Sequence, residues 1–174
     1  MHDARRLGNL LGAASLAVSD LVLAQVREAG RVSVSGASAL VVLAHAPGLS
    51  VTELGRHVGL SQPAAARMVE SLEVAGLARR TAGRGRTVAV LLTPEGKNAV
   101  EGVLAARGAA VAELLAGFGQ ADREMLGRLL EALLTQLYTE VGSADYLCRL
   151  CDRGGCTESS VCPVGQAERD HQGA

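Results

Sequence analysis

Apolar residues recur at three- and four-residue spacing over most of the chain, the signature of helices with one buried face. Leu7, Leu10, Leu11, Ala14, Ala17, Val18, Leu21 and Val22 form the first stripe, which predicts a long helix ending near Gly30. A second helix is predicted over 36–45, with Leu40, Val41 and Leu43 inward and Pro47-Gly48 as its stop. Ser50 and Glu53 have capping-box spacing and open a short helix to about residue 58. Gly59 turns the chain. Ser61 is then an N-cap candidate, with Pro63 in the first turn, and Ala65, Met68, Val69 and Leu72 make the apolar side of the next helix. Gly76 is its expected left-handed terminator. The helical period breaks between residues 77 and 92, where 77–80 and 87–92 read as two short strands around a Gly-Arg hairpin tip. Thr93-Pro94-Glu95 starts another long helix, with Val100, Val103, Leu104, Val111, Leu114 and Leu115 on one face. Asp122 is the expected cap of a last helix, striped by Leu126, Leu129, Leu130, Leu133, Leu134, Leu137 and Val141. The pattern ends near Gly142, and a polar tail follows.

Composition narrows the class. The chain has 174 residues, 48% apolar and 20% charged, the range of one folded domain. Aromatics are 2%, so Leu, Val and Ala must build the core, which suits packed helices. The uncharged stretch 32–52 is broken by Ser33, Ser35, Gly36, Ser38, His45, Pro47 and Gly48 and does not read as a membrane span. Arg5 and Arg6 before the apolar start of the first helix imitate a secretion signal, but Asp3, Gly8, Asn9 and Gly12 dilute it. The expectation is an amphipathic helix in a cytoplasmic protein with no membrane partner. No Ser/His/Asp set and no phosphate-binding loop is present, so the chain reads as no enzyme.

The net charge of −1 excludes a globally basic nucleic-acid binder, so any such surface must be local. One candidate exists. A short capped helix, a tight turn and a second capped helix have helix-turn-helix spacing. The second helix presents Ser61, Gln62, Ala66 and Arg67 outward, with Gln62 suited to adenine and Arg67 to guanine or phosphate. The hairpin behind it carries Arg79, Arg80, Arg84 and Arg86 and no acid between residues 74 and 92. A Gly-flanked arginine at such a tip suits a narrow minor groove. His57 lies near this surface and can touch phosphate, whereas His45 reads as a helix end and His171 as a disordered tail residue.

The segment 49–96, LSVTELGRHVGLSQPAAARMVESLEVAGLARRTAGRGRTVAVLLTPEG, resembles the MarR family of winged helix-turn-helix repressors. Leu-Ser-x-x-Glu-Leu, Gly-Leu-Ser, Arg-x-Val-x-x-Leu-Glu-x-x-Gly-Leu and Leu-Thr-x-x-Gly carry the match, and the flanking helices extend it over roughly residues 5–141. The resemblance implies a mainly α winged helix-turn-helix with long N- and C-terminal dimerisation helices and a small β-hairpin wing. It implies a homodimer on double-stranded DNA, Ser61, Gln62, Ala66 and Arg67 facing that DNA, and Arg86 at the wing tip. Arg84 departs from the family, which usually has Asp there to fix the wing. Two apolar stripes wider than a lone core can bury also argue for a homodimer. Residues 1–141 are thus expected to regulate transcription at a pseudo-palindromic operator, with an unknown small-molecule effector.

All four cysteines, Cys148, Cys151, Cys156 and Cys162, fall in the tail, 142–174. A Cys-x-x-Cys followed by two more thiols within 15 residues has metal-ligand spacing. Three occupants fit: Zn(II), placed slightly ahead; an iron–sulfur cluster, echoed by Cys162-Pro163; and free thiols acting as an oxidation switch, with Arg149 and Arg153 lowering their pKa values. The tail then senses redox state or metal, or only staples the chain. The competing function is a redox or metal carrier whose helical body is a docking scaffold.

Overall fold

The computed structural model describes residues 3–83 and 88–173. Among these the elements run α1 (Ala4–Gly30), α2 (Val34–His45), α3 (Val51–His57), α4 (Gln62–Val74), β1 (Ala78–Ala82), β2 (Val88–Leu92), α5 (Pro94–Leu115), α6 (Gln120–Val141), α7 (Ala144–Leu147), α8 (Arg153–Thr157) and α9 (Pro163–Gln172). This is a mainly α, winged helix-turn-helix architecture. The helices start where local chemistry favours a start. Asp3, Ser33 and Thr93 side chains accept N–H bonds from Arg6, Gly36 and Gly96. At Ser50 the capping box is closed in both directions: the Ser50 N–H donates to Glu53 at 2.8 Å, and the Glu53 N–H to the Ser50 hydroxyl at 3.3 Å. Those bonds hold the Glu53 carboxyl below its ordinary pKa.

The core is centred on α2, which is buried on every side. Leu40, Val41, Ala37 and Ala39 have no exposed surface, and Leu43 only 1%. Around it pack Val26 of α1, Leu54 of α3, Met68, Val69 and Leu72 of α4, Val90 of β2, and Val100 and Val103 of α5. The only buried polar side chain among the described residues, Ser38, donates to the Val34 carbonyl at 2.9 Å, so it costs little there.

The wing is an antiparallel pair in which Ala78 faces Leu92 and Ala82 faces Val88. The first strand thus reaches two residues further towards the tip than the sequence pattern suggests, and the expected start of the second at residue 87 lies outside the described residues. A bridge from Ser50 to Ala89 ties β2 to the start of α3, with the Val90 N–H donating to Leu49 and the Gly48 N–H to Val90. At its base the Thr93 hydroxyl donates to the Gly76 carbonyl at 2.7 Å. Gly96 sits over this junction so closely that a Cβ would lie 1.9 Å from the Leu77 carbonyl oxygen.

The two outer helices are largely bare. On α1, Leu7, Leu10, Leu11, Leu16, Val18 and Leu21 are exposed, and on α6 so are Met125, Leu129, Leu130, Leu137 and Val141. α1 is long and apolar enough, by length and composition, to cross a bilayer. Its C-terminal half, however, runs along α5 and enters the core through Val22 and Val26.

Ser61 is the N-cap of α4, as expected, and its hydroxyl makes no capping bond. Two expectations need correction. Asp122 lies inside the first turn of α6, whose N-cap is Gly119. His171 is not a loose tail residue: it lies in α9 with its ring edge-on to Tyr138, centroids 6.4 Å apart. The tail as a whole folds back, because Tyr138 of α6, Ala144 and Val164 form a second small buried cluster with Leu134, Leu147 and Ala167 around it. The division at 141/142 therefore falls at the end of α6, while packing continues across it.

Gly96→Ala is expected to destabilise the fold by about 3 kcal/mol, because the added Cβ collides with backbone rather than with a movable side chain. Urea unfolding would measure it, and a loss below about 1 kcal/mol would show that the wing base can open.

Candidate nucleic-acid interface and cysteine pocket

The helix-turn-helix is built by α3 and α4 crossing where Gly55 meets Ala65. A Cβ on Gly55 would stand 2.8 Å from the Ala65 Cβ, so the two helices approach closely. The turn passes through Gly59 at φ +71°, a conformation that favours glycine. The Leu60 N–H closes the turn on the Gly55 carbonyl at 2.8 Å. Burial of Ala65, Met68, Val69 and Leu72 rotates the other face of α4 outward.

That outward face carries the expected residues. Ser61, Gln62, Ala66 and Arg67 are all exposed. The Ser61 hydroxyl is not used as a cap, and Arg67 has no ion pair among the described residues. Four polar or small side chains on the first two turns of an exposed helix, with a free guanidinium at the end, can approach base edges and phosphates.

The wing arginines divide. Arg80 is paired with Glu73 of α4: its backbone N–H donates to Glu73 Oε1 at 2.9 Å, its guanidinium is bonded to Oε2, and Nη2 approaches the Ala66 carbonyl at 3.5 Å. Its main visible role is to clamp the wing to α4. Sequence reading missed this because Glu73 lies one residue before the acid-free stretch. Arg79, the next residue on the strand, points to the opposite face. There it lines a groove of about 540 Å³ with Lys97, Leu43, Leu91 and Val100. Arg84 and Arg86 lie outside the described residues. His57 is turned away from a phosphate role: its Nδ1 is 3.5 Å from Asp145 Oδ2 on α7.

The cysteines come from separate elements into one place. Cys148 caps α7, Cys151 follows a backbone turn in which its N–H donates to Cys148 at 2.9 Å, Cys156 lies in α8, and Cys162 is the N-cap of α9. All four are free thiols and line one cavity of about 260 Å³. The Cys162 sulfur accepts the Gly165 N–H at 3.4 Å. The Cys151 pKa is lowered to about 6, first by the S–H bond from Cys148, then by the Arg107 charge and the bond from Cys156. Cys148 is correspondingly pushed up by donating that bond and by burial, and Cys156 is raised to about 11, chiefly by burial. The guanidinium acting on Cys151 thus comes from α5, which no reading of the tail alone reveals. Arg149 instead covers the Tyr146 ring at 4.1 Å. Among the described residues no three His, Cys, Asp or Glu side chains already converge as a metal centre needs.

An exposed reading helix, a turn locked by glycine and a wing clamped to that helix define a winged helix-turn-helix DNA-binding protein. The sequence profile of the MarR family matches residues 32–86. The MarR family protein RV2887 of Mycobacterium tuberculosis, solved with p-aminosalicylic acid, is 30% identical with a TM-score of 0.58; the match covers 73% of this chain and 97% of that one. YusO of Bacillus subtilis is 23% identical with a TM-score of 0.63, covering 76% and 97%. MepR of Staphylococcus aureus, a regulator of the multidrug efflux pump MepA, is 16% identical with a TM-score of 0.65, covering 75% and 97%; at these identities the likeness is of fold. No curated protein sequence matches the chain. The chain belongs to the MarR family, and is a DNA-binding transcriptional regulator and not an enzyme. Its relatives are covered almost completely while about a quarter of this chain stays outside the match, so it carries length that they lack.

Arg67→Ala is expected to weaken binding to duplex DNA about tenfold and to flatten its salt dependence by close to one phosphate contact. Fluorescence anisotropy over a salt series measures both, and an unchanged slope would remove Arg67 from the phosphate contacts.

Proposed function

We propose that the protein is a cytoplasmic homodimeric repressor that occupies a pseudo-palindromic operator, and that its tail holds a thiolate-bound metal centre. One observation carries the dimer. The chain exposes 11142 Å², whereas a compact monomer of 17.8 kDa exposes about 8,000 Å². The excess of about 3,000 Å² is of the size that obligate interfaces cover, and it is concentrated on the bare leucines of α1 and α6. Covering those helices with a second copy sets two α4 helices at a fixed separation, which a palindromic site matches.

For the tail, the supporting observation is that three helices and a turn deliver four sulfurs to one cavity. Its buried cluster is only Tyr138, Ala144 and Val164, too little to order some thirty residues unaided, and metal binding would supply the difference. Zn(II) is the first assignment, since four thiolates suit its tetrahedral preference. An iron–sulfur cluster is the second. Family membership selects the regulator over the carrier. RV2887 has been solved with p-aminosalicylic and salicylic acids. The Arg79–Lys97 groove offers cations above an apolar wall, so a small aromatic carboxylate is the effector class that suits this chain.

Light scattering at micromolar concentration is expected to give twice the chain mass, and Leu129→Glu to give monomers that lose the operator; a wild-type monomer overturns the dimer. Metal analysis and the absorption spectrum of protein purified without oxygen are expected to show a colourless protein with one zinc per chain, lost in Cys151→Ser. A brown protein with broad visible bands selects the cluster. A chain that binds neither overturns the metal centre.

A further inference from the structure

The one-turn helix α7 faces two ways. Its cap, Cys148, is a wall of the thiol cavity. Its other residues reach the helix-turn-helix. The Tyr146 ring lies against Gly59, where a Cβ would stand 2.5 Å from Tyr146 Cε2. Gly59 is thus demanded twice, by its φ of +71° and by this ring. The ring is itself held: Arg149 covers it at 4.1 Å and donates to the Tyr146 carbonyl at 2.7 Å. Asp145 joins both sides. Its Oδ2 is 3.5 Å from His57 Nδ1, at the end of α3, and its Oδ1 accepts from Arg153 Nη2 at 3.2 Å. Arg153 opens α8 and lines the same cavity as the thiols. Leu150, between the first two cysteines, packs on the main core.

The walls of the cavity and the contacts on the turn are therefore made by neighbouring residues of one short segment. That segment is stiff. The Cys148 N–H donates to Ala144 at 2.9 Å and the Leu147 N–H to Ser143 at 3.2 Å, so α7 moves as a unit. The four sulfurs share one cavity, and among the described residues no three ligand side chains yet converge as a metal centre needs. Bringing them round one centre displaces Cys148, and a rigid turn passes that displacement to Asp145 and Tyr146.

We propose that α7 couples the thiol cavity to the recognition helix: filling the cavity with a thiophilic metal shifts Tyr146 against Gly59 and Asp145 against His57, and so resets α4 relative to DNA. This rests on the reading of the cavity as a metal centre. Gly59 is the joint between α3 and α4, so a small change there alters the angle at which α4 meets the groove. The coupling is reciprocal, and operator binding changes metal affinity by the same factor.

The test uses the full-length protein, reduced, stripped with a chelator and then loaded with Zn²⁺. The probe is a duplex that the protein itself selects from random-sequence DNA, read by anisotropy, with bound zinc measured in the same samples. Loading is expected to change the wild-type operator affinity about tenfold, and that of Asp145→Asn and Tyr146→Ala by less than about twofold at the same zinc stoichiometry. Tyr146→Phe keeps the ring and is expected to keep the wild-type response, and Asp145→Asn removes charge without opening a hole. The proposal is overturned if both Asp145→Asn and Tyr146→Ala respond like the wild type, or if the wild type takes up zinc with no change in affinity. A wild-type protein that takes up neither zinc nor a reconstituted cluster overturns the metal centre itself, and the coupling with it. The zinc measurement tells these two failures apart.

Discussion

Burial of α2 is the constraint on which the rest of the molecule depends. A helix that is apolar all round has no solvent face and must be enclosed. Leu40, Val41 and Leu43 are buried in one cluster, and α2 touches α1, α3, α4, β2 and α5, so these take their positions from one surface. Truncating a fully buried leucine of this kind costs about 2–5 kcal/mol, a large share of any domain's stability. The low aromatic content is consistent with this design, since Val, Leu and Ala let helices approach closely.

The functional surface is what this packing leaves outside. Turning Ala65, Met68, Val69 and Leu72 inward forces Gln62, Ala66 and Arg67 outward. The wing is then held at two ends, by the Ser50–Ala89 bridge at its side and by the Glu73–Arg80 pair at α4. Arg80 therefore orients the wing. Partly exposed ion pairs of this sort add little stability, so its value is positional.

The tail changes the family plan. It adds a second, much smaller cluster on α6 and touches the helix-turn-helix through α7. In doing so it brings the helix that ends in Cys148 against the Gly59 turn of the DNA-reading unit. The bond from Cys148 and the charge of Arg107 on α5 lower the pKa of Cys151 to about 6.

The sequence by itself determined the order of the helices, their caps and their inward faces, because these depend on residues three or four apart. Ser50–Glu53, Thr93–Pro94 and Gly76 are legible for that reason, as is the family. It also showed that the cysteines belong together, since spacing alone signals it. Tertiary structure decided which of the candidates share a surface. Arg79 and Arg80 are adjacent in sequence, yet strand geometry sends them to opposite faces. His57 meets Asp145 across 88 residues of chain, and His171 meets Tyr138. α7 and α8 escaped notice because four and five residues are too few to show a period, and α7 and α9 are held by docking on α6, on one another and, for α7, on α3. Long-range contacts of this kind leave no local pattern, and here they decide which charges are paired and which elements the tail touches.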